Sequence, residues 1–303
     1  MSMQIERAEV QYLRNLRRIY EEGVDLKNER TGEVCRTLIG LDMTYDATSN
    51  RAPIITTRKY NASVAISELL GYLKGYTSAA QFRELGNRTW DSNANENTAW
   101  LNNPNRKGTD DMGLVYGAVA RNWPVVDQNS SAPAGHYLVS DKSINLIRKV
   151  YDNLRAGKDD RGEIISFWNP GMFHLGCLRP CMYEHQFSLL GDDLYLNSTQ
   201  RSWDGPLGGA ANMVQAWVLL RLMAQITQKN PKFAQHRIVN GHIYGSQLDL
   251  VPTQLEREPL AEPTIEINPD IETLDDVETW VTVSDFEVTY PEYHGPIKYP
   301  FAV

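Results

Sequence analysis

The run NMVQAWVLLRLMAQITQ at 212–228 is apolar nearly all the way round a helix. Such a helix has no face to offer water, so it is buried and the rest of the chain has to cover it on every side. With 303 residues, 34.4 kDa and 42% hydrophobic content there is ample material for a core of that size. No internal repeat, low-complexity linker or break in composition divides the chain, so one α+β domain over residues 1–303 is the simplest reading.

Periodicity predicts the other elements. Val10, Leu13, Leu16 and Ile19 or Tyr20 recur at helical spacing ahead of Gly23, which predicts an N-terminal amphipathic helix. Residues 36–58 alternate apolar and polar groups and read as two strands, TLIGLDMTYD and PIITTR, joined by a polar turn at Ala47–Arg51. A helix over 62–74, ASVAISELLGYLK, places Glu68 among apolar neighbours. The stretch from Asp91 to Asp110 is rich in Asn, Asp and Gly and reads as a long loop, with a second loose region at Val126–Gly135. Beyond Ser143 the pattern predicts a helix to about Ala156 and strands at 163–168, 183–190 and 193–198.

Charge and cysteine usage exclude several classes of function. A net charge of −8 and a pI near 5.3 oppose broad attraction to nucleic acid, which needs a positive surface to displace counterions from phosphates. No apolar run approaches the roughly 18 residues of a membrane span, and the start MSMQIERAEV is charged rather than signal-like, so a cytoplasmic protein is expected. Cys35, Cys177 and Cys181 form an odd set without a CxxC pair, which points to reduced thiols. Their spacing and the lack of a matching His or Cys cluster argue against a metal site.

Two segments carry candidate chemistry. In LRPCMYEHQF, Cys181 follows a proline and precedes an apparent strand; a lone cysteine of this kind is more often inert core than nucleophile. Downstream, NSTQRSWDGPLGGAAN gathers Arg201, Ser202, Asp204 and Asn212 between glycines that allow close backbone approach to a ligand. An arginine near a cysteine depresses the thiol pKa, and arginine with serine can hold a phosphate. A surface salt bridge in a glycine-rich turn explains the second cluster equally well.

Taken together, these segments resemble the thymidylate synthase family, the folate-dependent dUMP methylases and related pyrimidine-nucleotide hydroxymethylases. The resemblance runs through ERTGE near residue 30, PIITTRK at 53–59, ELLGYLKG at 68–75, TWDSNANEN at 89–97 and GLVYG at 113–117. It continues through RPC at 179–181, QRSWD at 200–204, HIY at 242–244 and the tail IKYPFAV.

The resemblance implies a three-layer fold around a large mixed β-sheet, a homodimer, and dUMP and 5,10-methylenetetrahydrofolate as substrates, with no metal. Cys181 takes the role of the nucleophile that adds to C6 of the uracil. Arg201 would activate it and bind the 5′-phosphate with Ser202 and Arg30, while Arg161 in DDRGE would reach the phosphate from the partner subunit. Asn212 would read the base, since a carboxamide accepts from uracil N3–H and donates to O4, whereas cytosine suits a carboxyl group. His242 and Tyr244 match the residues that hold the deoxyribose 3′-hydroxyl. Glu68 would organise water and relay protons near O4 and C5, and Tyr116 would assist proton removal at C5. Asp204 would hold the pterin, Trp90 and Leu178 would form part of its apolar wall, and Ala302 with Val303 would close over the folate.

Several positions depart from the family pattern. Met182 stands where histidine is common after the nucleophile, Gly162 replaces the second arginine of a phosphate-binding pair, and Asn61 and Asn93 replace a folate-side histidine and tryptophan. The segment Trp203–Ala211 has an added tryptophan and a wall thinned by glycine and two alanines. A looser wall would admit water, giving 5-hydroxymethyl-dUMP in place of dTMP, while the intact tail and Trp90 favour hydride transfer. A catalytically idle nucleotide- or RNA-binding protein on the same fold is opposed by Cys181, Glu68, Asp204, Asn212 and the acidic balance.

Overall fold

The computed structural model of the chain describes residues 4–27, 32–127 and 137–300. The amphipathic N-terminal pattern forms helix α1, Ala8–Glu22, which buries Tyr12, Leu16 and Ile19 completely. Gln11 and Asn15 on the same helix donate through their side-chain amides to Thr44 O and Asp42 O at 2.7 and 2.9 Å, so polar bonds fasten α1 to the strand beneath it. Helix α2, Ala62–Lys74, begins where the Asn61 side chain accepts from Ser63 N and ends at Gly75 with φ +72°. Helix α3 spans Leu146–Arg155, and the all-round apolar segment is helix α4, Gly209–Thr227, whose Met213, Trp217, Leu220 and Met223 are fully buried.

These helices cover a seven-stranded mixed sheet: β1 Val24–Lys27, β2 Val34–Asp46, β3 Ile164–Ser166, β4 Met182–Leu190, β5 Asp193–Gln200, β6 Trp203–Asp204 and β7 Asn230–Tyr244. The order is β1-β2-β7-β5-β4-β3, with β6 also paired to β7. β7 runs antiparallel to β2 and parallel to β5 and β6; the remaining pairs are antiparallel. α1 and α4 lie on the sheet, and α2 and α3 pack onto α4, which builds the layers around α4 that its apolar surface demands. On the far face Tyr195 meets Phe233 edge-on at 4.9 Å, while Ile39 and Val239 remain 63% and 48% exposed.

Register brings the start of β4, the end of β5, β6 and the end of β7 to one end of the sheet: Met182 pairs with Gln200, Gln200 with Ile238, and Asp204 with His242. The first turn of α4 adds Asn212 to that end.

Three expectations change. PIITTR is not a strand, because its backbone donors go to a buried carboxylate: Glu9 accepts from Thr56 N at 2.6 Å and Thr57 N at 2.7 Å. Burial on all sides, not a half-buried sheet face, underlies its apolar character. The stretch from Asp91 to Asp110 contains short helices at Asp91–Asn95 and Thr98–Leu101; its asparagines work as caps and braces, Asn97 accepting from Ala99 N and Asn95 donating to Asp110. Val126 belongs to a hairpin of Trp123–Asp127 and Leu138–Ile144, and residues 128–136 lie outside the described residues.

Candidate active site

Cys181 stands at the mouth of β4, partly exposed, on a backbone held from two sides. Its N–H donates to Tyr116 Oη at 2.9 Å and its carbonyl accepts from Arg201 N at 2.9 Å. The Arg201 guanidinium donates from Nε to Pro180 O at 2.9 Å and from Nη2 to Arg179 O at 3.0 Å, and lies 5.4 Å over the Trp168 ring. The arginine therefore grips the two residues ahead of the cysteine, and still has N–H groups for an anion.

Tyr116 occupies φ +44°, a conformation costly for a non-glycine residue. Its ring stacks on Tyr72 at 4.2 Å and meets Trp90 edge-on at 5.8 Å. The neighbouring Gly117 makes this stack possible, because a Cβ there would sit 1.6 Å from Tyr72 O. Burial, with the charge of Cys181 next in weight, pushes the Tyr116 hydroxyl well above its ordinary pKa.

Glu68 projects from α2 toward the same cleft. Its Oε1 accepts from Thr89 Oγ1 at 3.1 Å and its Oε2 from Gln215 Nε2 at 2.6 Å. Burial raises its pKa, opposed by hydrogen bonds from Gln215 and Thr89 and more weakly by Tyr72 and Trp90. Gln215 accepts in turn from Asn212 Nδ2 at 3.2 Å, and Asn212 Oδ1 accepts from Gln200 Nε2 at 3.0 Å. Glu68 and Asn212, 144 residues apart in sequence, are thus joined through one buried amide.

Asp204 and the end of β7 form the opposite side. Burial pushes the Asp204 carboxyl up to about 6, against bonds from Leu207 N at 3.2 Å and Gln247 Nε2 at 3.3 Å. Gln247 also donates to Pro300 O at 3.1 Å, tying the tail to this corner. The His242 ring stands edge-on to Tyr244 at 5.2 Å, with Asn240 Oδ1 3.1 Å from its Nδ1. Trp90 is buried, its indole N–H directed at Glu68 as a weak donor, and Leu178 packs at the edge of the core.

Trp203 does not line the cleft. It is fully buried, meets Tyr12 edge-on at 5.9 Å and fills the room left by glycines: a Cβ on Gly209 would approach its ring to 2.7 Å, and one on Gly205 to 3.0 Å. The glycines and the tryptophan are one compensated packing unit.

Arg161 is exposed beside the far part of β4, where Gln186 Nε2 donates to its carbonyl at 3.1 Å. Gln186 is roughly 17 Å along an extended strand from Cys181. Arg30, Ala302 and Val303 lie outside the described residues. Tyr72, Gln200, Gln215, His236 and Gln247 were not expected at the site; Gln200 stands inside QRSWD and Tyr72 inside ELLGYLKG, while the others carry no local signal. Among the described residues no group of His, Cys, Asp and Glu forms a metal site, and no helix is long and apolar enough to cross a membrane.

The family model for thymidylate synthase matches residues 10–303. Proteins named thymidylate synthase from Vibrio cholerae and Vibrio vulnificus are 56% and 57% identical to this chain over 294 residues, covering 97% of it and 99% of each relative. One from Marinomonas sp. is 55% identical with the same coverage.

Proposed function

The chain belongs to the thymidylate synthase family, and from that premise we propose that it methylates dUMP reductively at C5 to give dTMP. The observation that carries this reading is the clamp on Cys181 between Tyr116 and Arg201, within one cleft with the Glu68–Gln215–Asn212 chain.

The Cys181 thiolate bonds to C6 of the uracil, and the displaced π pair makes C5 a nucleophile. C5 takes up the folate's methylene carbon as one of its carbon–nitrogen bonds opens; loss of the C5 proton expels the second folate nitrogen from that carbon, and the folate returns a hydride to it, leaving as dihydrofolate. Arg201, Ser202 and Arg30 bind the 5′-phosphate, and His242 with Tyr244 holds the sugar. Asn212 reads N3–H and O4. Glu68, its pKa raised by burial, passes protons at the O4 side, and Tyr116 helps remove the C5 proton; departure of the thiolate from C6 then restores the ring. Trp90, Leu178 and Asp204 fit a pterin: the buried indole and the apolar Leu178 suit the flat faces of the ring, and a desolvated carboxyl suits its N–H-rich edge. Ala302 closes the site.

Compensated packing at Trp203 supports hydride over water as the last reactant, as do the names of the relatives. The test is to incubate the protein with dUMP and methylenetetrahydrofolate and separate the products. dTMP with dihydrofolate is expected; 5-hydroxymethyl-dUMP with tetrahydrofolate would overturn the reading.

The half-open sheet face and the remoteness of Arg161 from Cys181 in one chain support a homodimer in which the partner's copy of this arginine reaches the phosphate. Mixing inactive Cys181→Ala with weakened Arg161→Ala subunits should restore activity, since one hybrid site regains both residues. Absence of complementation after exchange of subunits counts against a shared site.

A further inference from the structure

The amide chain does not end at Asn212. Gln200 Oε1 lies 2.8 Å from His236 Nε2, and His236 Nδ1 lies 2.8 Å from Tyr45 Oη. Gln200 and Tyr45 are 1% exposed and His236 is wholly buried, so no water is at hand to relax these bonds.

Every donor in this series is determined. Ser202 O can only accept, and it lies 2.7 Å from the Gln200 amide, so Nε2 of Gln200 must face it. Gln200 Oε1 then faces His236 and can only accept, which places the imidazole proton on Nε2. Burial holds His236 neutral, with its pKa down at about 3, so Nδ1 is bare and Tyr45 Oη donates to it. In the other direction, Gln200 Nε2 donates to Asn212 Oδ1, Asn212 Nδ2 to Gln215 Oε1, and Gln215 Nε2 to Glu68. The donors run one way from Tyr45 to the Glu68 carboxylate.

From this geometry we infer that Tyr45, His236 and Gln200 are positioning residues that lock the Asn212 amide in the orientation that selects uracil over cytosine. The inference rests on the proposed reading of the base by Asn212. In the locked orientation the remaining lone pair of Oδ1 meets N3–H and the remaining Nδ2 hydrogen meets O4 of uracil. Turned over, the same amide would offer a donor to N3 and an acceptor to an exocyclic amine, which is the pattern of cytosine. Selectivity therefore resides in the direction of the buried chain, set as far away as Tyr45.

Two variants and one spectrum test this. Gln200→Glu cannot donate to Asn212, so the amide should turn; the dUMP-to-dCMP affinity ratio, measured at equilibrium without folate, should fall by about tenfold or more, the weight of one hydrogen bond. Tyr45→Phe keeps the ring and removes one hydrogen, and should lower the ratio in the same direction by about threefold, with dUMP affinity the part that suffers. Nitrogen NMR of wild-type His236 should show a protonated Nε2 and a bare Nδ1. An unchanged ratio in both variants, equal weakening of both nucleotides, or a protonated Nδ1 would overturn the inference. A wild-type protein without preference for dUMP would overturn it through Asn212, and the ring spectrum would then separate a failed base reading from a failed chain.

Discussion

Two glutamates, Glu9 buried and Glu68 partly buried, stand one on each of the first two long helices and have different surroundings. Glu9, in the first turn of α1, receives four hydrogen bonds: Thr56 N and Thr57 N on Oε1, Thr56 Oγ1 and Arg7 Nη2 on Oε2. The helix N-terminus adds its own positive end. Glu68, in the middle of α2, accepts from Thr89 Oγ1 on one oxygen and from Gln215 Nε2 on the other, with weaker donation from Tyr72 and Trp90, and burial still raises its pKa. A carboxylate that holds the fold together is saturated with donors. One proposed to pass protons is held by neutral side-chain donors away from a helix end, so burial shifts it toward its neutral form.

The largest effect expected from this contrast is on catalysis. Glu68→Gln removes the titrating group and keeps the shape, so kcat should fall by about 10²–10⁴-fold while the unfolding midpoint stays level or rises. A variant that loses its stability along with its activity would show that Glu68 belongs with Glu9. Glu9→Gln should do the reverse. The amide turns one N–H toward donors that need an acceptor, which should cost about 2–4 kcal/mol of stability, read by urea denaturation, and leave kcat of the folded fraction near wild type.

The same contrast separates what was legible in the sequence from what was not. Helix α2 and its Glu68 were legible, because a charge on an apolar helix face is a local anomaly, and the resemblance gave it a role. Glu9 was not: its meaning comes from Thr56 and Thr57, 47 and 48 residues away, in a segment that imitates a strand while giving its donors to a carboxylate. The central strand β7 hid for a similar reason. NPKFAQHRIVNGHIY breaks alternation with proline and glycine and turns polar His236 inward, where only Tyr45 and Gln200 make it tolerable. Cys181, Arg201, Asp204, Asn212, His242 and Tyr244 were legible by resemblance, and register gathers them at one sheet end. Of the glutamines that join them Gln200 stands inside QRSWD, but its role, like that of Gln215 and Gln247, depends on neighbours supplied by other elements.

Asp204 tests the contrast from a third position, and with the smallest effect. Its two bonds, at 3.2 and 3.3 Å, are long, and burial has moved its pKa from 3.8 up to about 6. The folded protein therefore holds this proton more tightly than the unfolded chain. The associated stabilisation is fully present below pH about 4 and is lost as the pH rises through about 6. Asp204→Asn carries no charge at any pH, so wild type should gain on the variant as the pH falls from 8 to 5, by about 1–2 kcal/mol after allowance for the altered bond to Gln247. Thermal melts of both proteins at several pH values measure the difference. A gap independent of pH would place Asp204 with Glu9, as a carboxylate that serves to accept the bonds holding the fold together. A gap that opens above pH 6 places it with Glu68, as a group the fold keeps poised for a ligand that brings its own donors.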